Sequence, residues 1–391
     1  MKTTVTLLLI FTSFTINAQG ILFAAKEKGK GYGYIDDKGN YKIEPSFDKA
    51  GPFFKGTAVV QKNKKYGVID STGKFVVEPV YDDAIEYAPD GFITVSKSGK
   101  WGVIDQKGNI TIPLSHDYLS VVKEGYVIGG VIFRNKSAKK LMGRICPVIM
   151  DLQGTPVFEN DCTDEPSVVL PGTVDKAGNY SEGAWPMVQE GKIVLEDVYG
   201  EEFTAVDIAT NRQFPLYAVQ FPDHYVRFRE GVLAFQYAEG DETTLAGYAD
   251  TLSFNPGSLT GKQVPFNFEA TKVHPFFNGV AAVELDGKWL FIDREGEIIS
   301  KTNLSTTEYY ASPPMYFNGL VGFFNGKGKA GYVNLKGETV IPFELEAYHP
   351  FEWDVAPVKQ KGLFGLIRKD GTWAVSPRFE DMYATPCPCY Q

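Results

Sequence analysis

The feature that most constrains this fold is a phrase that returns at a fixed interval. An aromatic residue, a glycine, two strand-forming residues and an aspartate occur at Tyr32–Asp36, Tyr66–Asp70 and Trp101–Asp105. A period of about 35 residues is typical of repeat architectures, in which each unit is one small supersecondary structure. The phrase therefore predicts the scaffold. It does not identify a ligand or a reaction, because a repeat consensus mostly records how units pack.

The last residue of the phrase serves as an anchor for counting units. Anchors at positions 36, 70, 105, 151, 207, 250, 293, 334 and 368 define nine units, of which the first three and last three are well formed. Most anchors are aspartates followed three residues later by glycine, which predicts a hairpin turn with glycine in the left-handed conformation. Asn334 and Arg368 replace the acid but keep the glycine. A turn tolerates that change and a catalytic carboxylate does not, so we interpret the aspartates as turn residues.

The rest of the unit predicts further strands. After each turn a strand leads to a proline, at Pro79, Pro113, Pro342 and Pro377, which predicts a strand end or a sheet edge. The glycine beside the aromatic predicts a gap that a neighbouring unit approaches closely. The aromatic is then a packing wedge between units. The alternative is a row of ligand-stacking rings that bind sugars, formed by Tyr32, Tyr66, Trp101 and Trp289.

The N-terminus predicts export. Lys2, the apolar run from Val5 to Ile16 and a small residue at Ala18 are typical of a signal peptide, here residues 1–18. Residues 19–391 are predicted to form the array, with well-formed units at about 20–130 and 270–385 and a degenerate middle with insertions at 131–269. We expect a periplasmic or secreted protein with no membrane insertion after cleavage. The net charge of −9 argues against nucleic acid and anionic membranes as partners.

The two ends of the chain predict a ring. The array begins with the glycine-led strand and lacks the aromatic-acidic segment that precedes it elsewhere, while Arg378–Tyr383 supplies that segment at the other end. A split unit of this kind joins the termini of propellers. We therefore predict an all-β array of about nine antiparallel β-meander repeats, propeller-like, with an open β-solenoid as the alternative.

The phrase also resembles a known repeat. Lys65–Asp70 and Lys100–Asp105 both read Lys-aromatic-Gly-Val-Ile-Asp, which resembles the WG repeat, also called the KWG repeat, of bacterial proteins. Lys288–Asp293 departs from it at the glycine and Lys329–Gly331 at the aromatic. The resemblance implies an all-β repeat protein, often exported, and transfers no catalytic residue. The leader ending in Asn17-Ala18-Gln19 resembles those of Bacteroidetes.

Local motifs for chemistry are absent from the sequence. The four histidines, His116, His224, His274 and His349, share no metal-ligand spacing and are predicted to lie at the surface or in turns. We predict no catalytic residue, no cofactor and no metal. Four cysteines, Cys146, Cys162, Cys387 and Cys389, allow three disulfide connectivities, among which a Cys146–Cys162 bridge would staple the insertion.

Three functions remain, of which the last is a purely structural spacer. The first is a non-catalytic binding or scaffolding repeat protein of the cell envelope or secreted space, with an unknown protein or envelope polysaccharide as partner. The alternative is a glycan-acting hydrolase with its site in the degenerate middle units, which needs a pair of carboxyl groups in one pocket. If the insertions at Arg134–Arg144, Asn160–Gly178 and Glu239–Thr244 lie on one face, that face is the candidate site.

Overall fold

A computed structural model describes most of the array. The described residues are 21–86, 88–133, 144–159, 168–169, 173–174, 180–181, 188–197, 203–215, 219–220, 228–239, 243–250, 270, 272–305, 315–325, 327–351 and 354–383. The predicted signal peptide therefore lies outside the described residues, as do most of the predicted insertions. Every regular element within these ranges is a strand.

The well-formed units are antiparallel sheets of four strands taken in chain order, a meander. Unit 1 contributes β1 (Phe23–Glu27), β2 (Tyr32–Ile35) and β3 (Tyr41–Phe47). Unit 2 contains β4 (Lys49–Phe54), β5 (Thr57–Lys62), β6 (Lys65–Asp70) and β7 (Phe75–Tyr81). Unit 3 contains β8 (Asp83–Ala84), β9 (Phe92–Lys97), β10 (Lys100–Asp105) and β11 (Ile110–His116).

The middle units keep the same order with shorter or interrupted strands. Unit 4 has β12 (Tyr126–Phe133), β13 (Arg144–Asp151) and β14 (Pro156–Glu159), preceded by a bridge from Leu119 to Gly129. Unit 5 has β15 (Val168–Val169), β18 (Lys192–Asp197), β19 (Phe203–Asp207) and β20 (Arg212–Pro215), with a small hairpin of β16 (Thr173–Val174) and β17 (Tyr180–Ser181) between the first two. Unit 6 has β21 (Val219–Gln220), β22 (Phe228–Arg229), β23 (Val232–Glu239) and β24 (Thr243–Asp250).

The last three units return to the regular pattern. Unit 7 has β25 (Lys272–Val273), β26 (Ala281–Leu285), β27 (Lys288–Ile292) and β28 (Ile298–Ser305). Unit 8 has β29 (Met315–Phe317), β30 (Leu320–Phe324), β31 (Ala330–Asn334) and β32 (Thr339–Leu345). Unit 9 has β33 (Ala347–Tyr348), β34 (Val355–Gln360), β35 (Leu363–Arg368) and β36 (Trp373–Tyr383). All nine anchors stand at or directly after the end of a third strand, so the predicted count of nine units is confirmed.

Strand β36 joins the two ends of the chain. Its first part pairs with β35 as the fourth strand of unit 9, through Leu366 opposite Val375. Its second part pairs with β1 as the first strand of unit 1, through Ala24 opposite Tyr383 and Ala25 opposite Met382. The predicted split unit is thus confirmed, and the array is propeller-like rather than an open solenoid.

Hydrophobic clusters lie between consecutive units rather than inside them. The cluster of Val59, Tyr66 and Val68 with Ile93 and Val95 joins units 2 and 3. Corresponding clusters join units 1 and 2, 3 and 4, 4 and 5, 6 and 7, 7 and 8, and 8 and 9. Another cluster joins unit 9 to unit 1. A single sheet has two apolar faces, and stacking the units buries both of them.

The anchor turns have the predicted geometry. The Gly73 N–H donates to the Asp70 carbonyl oxygen at 2.9 Å, and Gly73 has a φ of 86°. The Asp70 carboxylate accepts the N–H groups of Thr72 and Lys74 at 2.9 and 3.1 Å. Asn334 does the same with its side-chain oxygen, for Lys336 and Glu338 at 2.9 and 3.0 Å. Asparagine therefore serves the turn as well as aspartate does.

The glycine beside the aromatic has a different neighbour from the one predicted. A Cβ added at Gly67 would lie 2.6 Å from the Val77 carbonyl oxygen and 2.9 Å from the Pro79 nitrogen. These atoms belong to the fourth strand of the same unit, so the prediction of a neighbouring unit was wrong. The strand bulges there, since Tyr66 and Val68 face Tyr81 and Val77. Pro79 lies inside β7, an edge strand that continues to Tyr81, so it marks the edge and not the strand end. Pro377 lies inside β36, which pairs with a strand on either side.

Candidate binding surface

The meander gives the array two faces. The first turn of each unit, between its first two strands, lies on the same side as the third turn, which holds the anchor; we call this side the upper face. A contact between turns of neighbouring units shows this proximity, because the Gln106 side chain in a third turn donates to the Lys55 carbonyl in a first turn at 3.1 Å. The second turns and the links between units form the opposite side, the lower face.

On the lower face, acids in the links between units hold two units together; these acids follow an aromatic residue in pairs such as Phe47-Asp48 and Tyr81-Asp82. The Asp82 carboxylate accepts the Ser98 N–H in the following second turn at 2.7 Å and pairs with Lys65 of the preceding unit. The pattern recurs in other units as Asp48 with the Lys64 N–H at 3.0 Å, Glu346 with the Gly362 N–H at 2.9 Å, and Lys100 with Asp117. The repeated acid is therefore a link between units.

On the upper face, a relay of acids crosses the middle units. Glu124, in the first turn of unit 4, accepts the N–H groups of Glu190 and Gly191 in the first turn of unit 5, at 2.9 and 2.7 Å. Glu190 in turn accepts the Gly231 N–H of unit 6 at 2.7 Å. The relay begins with Asp90 on the Gly125 N–H at 2.8 Å and ends with Glu230 on the Gly279 N–H at 3.0 Å. It connects units 3 to 7, and our sequence reasoning missed it.

A second recurring contact uses tyrosine two residues after the aromatic position. The Tyr34 hydroxyl donates to the Gly51 carbonyl in the next unit at 2.8 Å, and Tyr332 donates to the His349 carbonyl at 2.6 Å. Tyr248, in a weak middle unit, donates to the His274 carbonyl. Burial raises the pKa of the Tyr34 and Tyr248 hydroxyls well above the usual range, so both remain donors.

The four predicted ligand-stacking aromatics lie in or beside the clusters between units. Tyr32 and Tyr66 are buried, while Trp101 and Trp289 are half-buried. Tyr66 also accepts a hydrogen bond from the Lys49 ammonium at 3.1 Å, and the Tyr32 hydroxyl donates to Asp381 at 2.6 Å across the joined ends. This packing fits a wedge role, and a stacking role for the four aromatics remains a prediction.

Perturbed ionisable groups lie on the first strands. Burial raises the pKa of the Glu86 carboxyl, which Lys49 partly opposes. Burial lowers the pKa of His349 to about 4, which Asp381 partly opposes. His274 is also buried and packs against Trp289 with ring centroids 4.9 Å apart, so the prediction that the histidines lie at the surface was wrong for it.

The remaining predictions on chemistry concern the cysteines, His224 and metal sites. Cys146 is disulfide-bonded, and the other three cysteines, like His224, lie outside the described residues. Within the described part of the chain, no cluster of three or more histidine, cysteine or acidic side chains has the arrangement of a metal site. No helix there is long and apolar enough to cross a membrane.

Strand order and packing between units define an all-β, propeller-like repeat protein. The family described as the WG containing repeat matches the chain at five places, residues 32–66, 66–101, 101–128, 264–289 and 331–364, so these parts of the chain are WG repeats. The matches leave out units 5 and 6, although both keep the strand order. No curated protein matches the sequence.

Solved structures show distant similarity. The computationally designed Ika8 protein is 15% identical, with 82% of this chain and 94% of that chain covered and a TM-score of 0.42. BamB from Moraxella catarrhalis is 13% identical, with 90% of each chain covered and a TM-score of 0.36. AztD from Citrobacter koseri is 16% identical, with 81% and 92% covered and a TM-score of 0.39. At TM-scores this low, the likeness carries no conclusion about this chain.

Proposed function

We propose that the chain is a non-catalytic binding scaffold of the cell envelope or secreted space that holds its partner on the lower face. A repeat-type β protein fits a scaffold or binding role. The polar residues that recur from unit to unit are committed to structure: anchors to turns, link acids to second turns and relay acids to first turns. They supply rigidity rather than a reacting group.

At two of the three predicted insertions, the place where the chain departs from its repeat favours the lower face. Residues 134–143 and 240–242 lie outside the described residues, but the strands that they connect are described. Strands β12 and β13 pair up to Phe133 opposite Arg144, and β23 and β24 up to Glu239 opposite Thr243. Both pairs end on the lower face. Variable loops on a rigid repeat scaffold are where such proteins usually bind.

The hydrolase alternative has no comparable support. In the middle units, the acids Glu124, Glu190 and Glu230 each accept backbone N–H groups of the next unit. A general acid or base must be free to contact its substrate, and these three face the adjoining turn instead.

Retention and turnover on envelope material distinguish the two functions. Residues 19–391 would be immobilised and exposed to the polysaccharide and protein fractions of an envelope extract, with heat-denatured protein as control. We expect saturable retention from one fraction and no release of reducing ends above the control. Steady release of reducing ends over many turnovers, or no retention from either fraction, would contradict the proposal.

A further inference from the structure

We infer that the lower face of units 8, 9, 1, 2 and 3 is a docking surface for a polyanionic polysaccharide. The inference rests on the proposed binding function and names the chemistry of the partner. The joined ends make it possible, because the pairing of β1 with β36 places units 8 and 9 at the C-terminus beside units 1 to 3 at the N-terminus. Five units from opposite ends of the sequence thereby form one continuous arc.

The second turns of these units are strongly basic. Together they carry twelve lysines and one carboxylate, Glu27, in residues 26–30, 62–65, 97–100, 325–329 and 359–362. The third turns of the same units, on the upper face, carry six basic and six acidic residues in residues 36–40, 70–74, 105–109, 334–338 and 368–372. A chain with a net charge of −9 therefore concentrates positive charge on one side of one arc.

The links on the lower face also contain acids, and several of these are engaged, whereas Asp83 and Glu380 are exposed. Asp82 pairs with Lys65, Asp117 with Lys100, and Glu346 lies 4.0 Å from Lys329. The carboxylates of Asp48, Asp82 and Glu346 accept N–H groups of the second turns. These pairs neutralise the lysines beside the links and leave the lysines at the turn tips.

The second turn of each unit in the arc keeps one exposed lysine that forms no ion pair within the described part of the chain. In ring order these are Lys327, Lys361, Lys28, Lys64 and Lys97. The turns hold them at defined places, since Lys64 and Lys361 occupy left-handed positions with φ of 61° and 53°. One cation per unit along a curved edge matches a linear chain that carries charge at intervals.

The residue types favour an anionic polysaccharide over other polyanions. The five turn segments contain no arginine, the residue suited to bidentate phosphate recognition, and no aromatic on which a base could stack. They also contain no apolar side chain to insert into a bilayer; the exposed large hydrophobics lie on fourth strands, as at Val76 and Ile110. A polyuronate or sulfated glycan needs only spaced cations.

The test compares two quadruple variants of residues 19–391. The first changes Lys28, Lys64, Lys97 and Lys361 to Gln, and the control changes the exposed upper-face lysines Lys38, Lys74, Lys107 and Lys336 to Gln. Binding to polygalacturonate, dextran sulfate and neutral dextran would be measured from about 20 to 300 mM salt, where screening changes strongly. We expect salt-sensitive binding to at least one polyanion, no binding to dextran, a loss of about tenfold or more in the first variant and less than about twofold in the control.

Equal losses in the two variants, or no binding to either polyanion at low salt, would overturn the inference. Tighter binding of the unmodified protein to oligothymidylate or to phosphatidylglycerol vesicles would also overturn it. If the first variant still retains envelope material as the unmodified protein does, the scaffold proposal stands and the polyanion surface fails. If neither protein retains any, the scaffold proposal itself fails.

Discussion

Units 1–3 and 7–9 keep most of the repeated phrase, whereas units 4–6 have lost most of it, yet both regions build the same meander. Asp207 and Asp250 end third strands as Asp70 and Asp105 do. The regular units are held to each other by link acids on the lower face, and the middle units by the acid relay on the upper face. The fold therefore needs a turn, a buried face and one polar link per unit, but not one fixed phrase.

The comparison also shows where close packing is strict. At Gly102 in unit 3, an added Cβ would meet the Ile112 carbonyl oxygen at 2.7 Å and the Leu114 nitrogen at 2.9 Å. At Gly129 in unit 4, it would meet the Met150 methyl group at 2.7 Å and a Leu119 methyl group at 3.1 Å. Backbone cannot move aside as a methionine can, so Gly102, on the third strand of unit 3, tolerates an added side chain less than Gly129, on the second strand of unit 4.

Gly102→Val should have the largest effect of the substitutions considered. The overpacked strand should lose about 3 kcal/mol of unfolding free energy. The comparison variant Gly129→Ala should cost about 1 kcal/mol or less, because Met150 can adopt another rotamer. Denaturant unfolding measures both, and equal costs would contradict the distinction between these two positions.

Glu124→Ala tests the relay in the middle units. It removes the acceptor of two N–H groups at the junction of units 4 and 5, and should cost about 1 to 2 kcal/mol. Hydrogen exchange should locate the loss of protection at residues 188–197. The matched control is Glu78→Ala, since Glu78 is exposed on an edge strand of a regular unit. If the two substitutions cost the same, the relay does not hold the middle units together.

Tyr34→Phe and Tyr248→Phe sharpen the comparison at a contact that both regions share. Each removes a buried hydroxyl that donates to a carbonyl of the next unit, and each should cost about 1 kcal/mol. Thermal unfolding of the two single variants would measure the costs side by side. A negligible cost for Tyr248→Phe alone would mean that unit 6 is not packed as unit 1 is.

Asp70→Asn should have the smallest effect. The Thr72 hydroxyl hydrogen bond and the turn N–H groups lower the pKa of Asp70, but Asn334 shows that an amide oxygen accepts the same two N–H groups. The change in unfolding free energy should stay within about 0.5 kcal/mol, with binding unchanged. A loss of binding with an intact fold would assign Asp70 to a site.

The anchors, the unit count and the split unit could be predicted because turn chemistry and period are local properties of the sequence. The relay could not, because it depends on which turns meet in space. One signal was available in the sequence, because Glu124, Glu190 and Glu230 each precede a glycine. In the structure these glutamates adopt φ of 55°, 50° and 52°, where glutamate is unusual. The partner of the Gly67 position was misjudged because the bulge around Pro79 depends on strand pairing.

The central claim is that β36 closes the array, and hydrogen exchange tests it most directly. One truncated protein would lack residues 378–391 and a control would lack residues 384–391 only, so that both lose Cys387 and Cys389 and only the first loses the partner of β1. The account predicts that amides in Phe23–Glu27 lose protection in the first protein, and that its cooperative unfolding shifts for the whole array, while the control behaves as the full chain does. Undiminished protection of Phe23–Glu27 in the first protein would contradict closure.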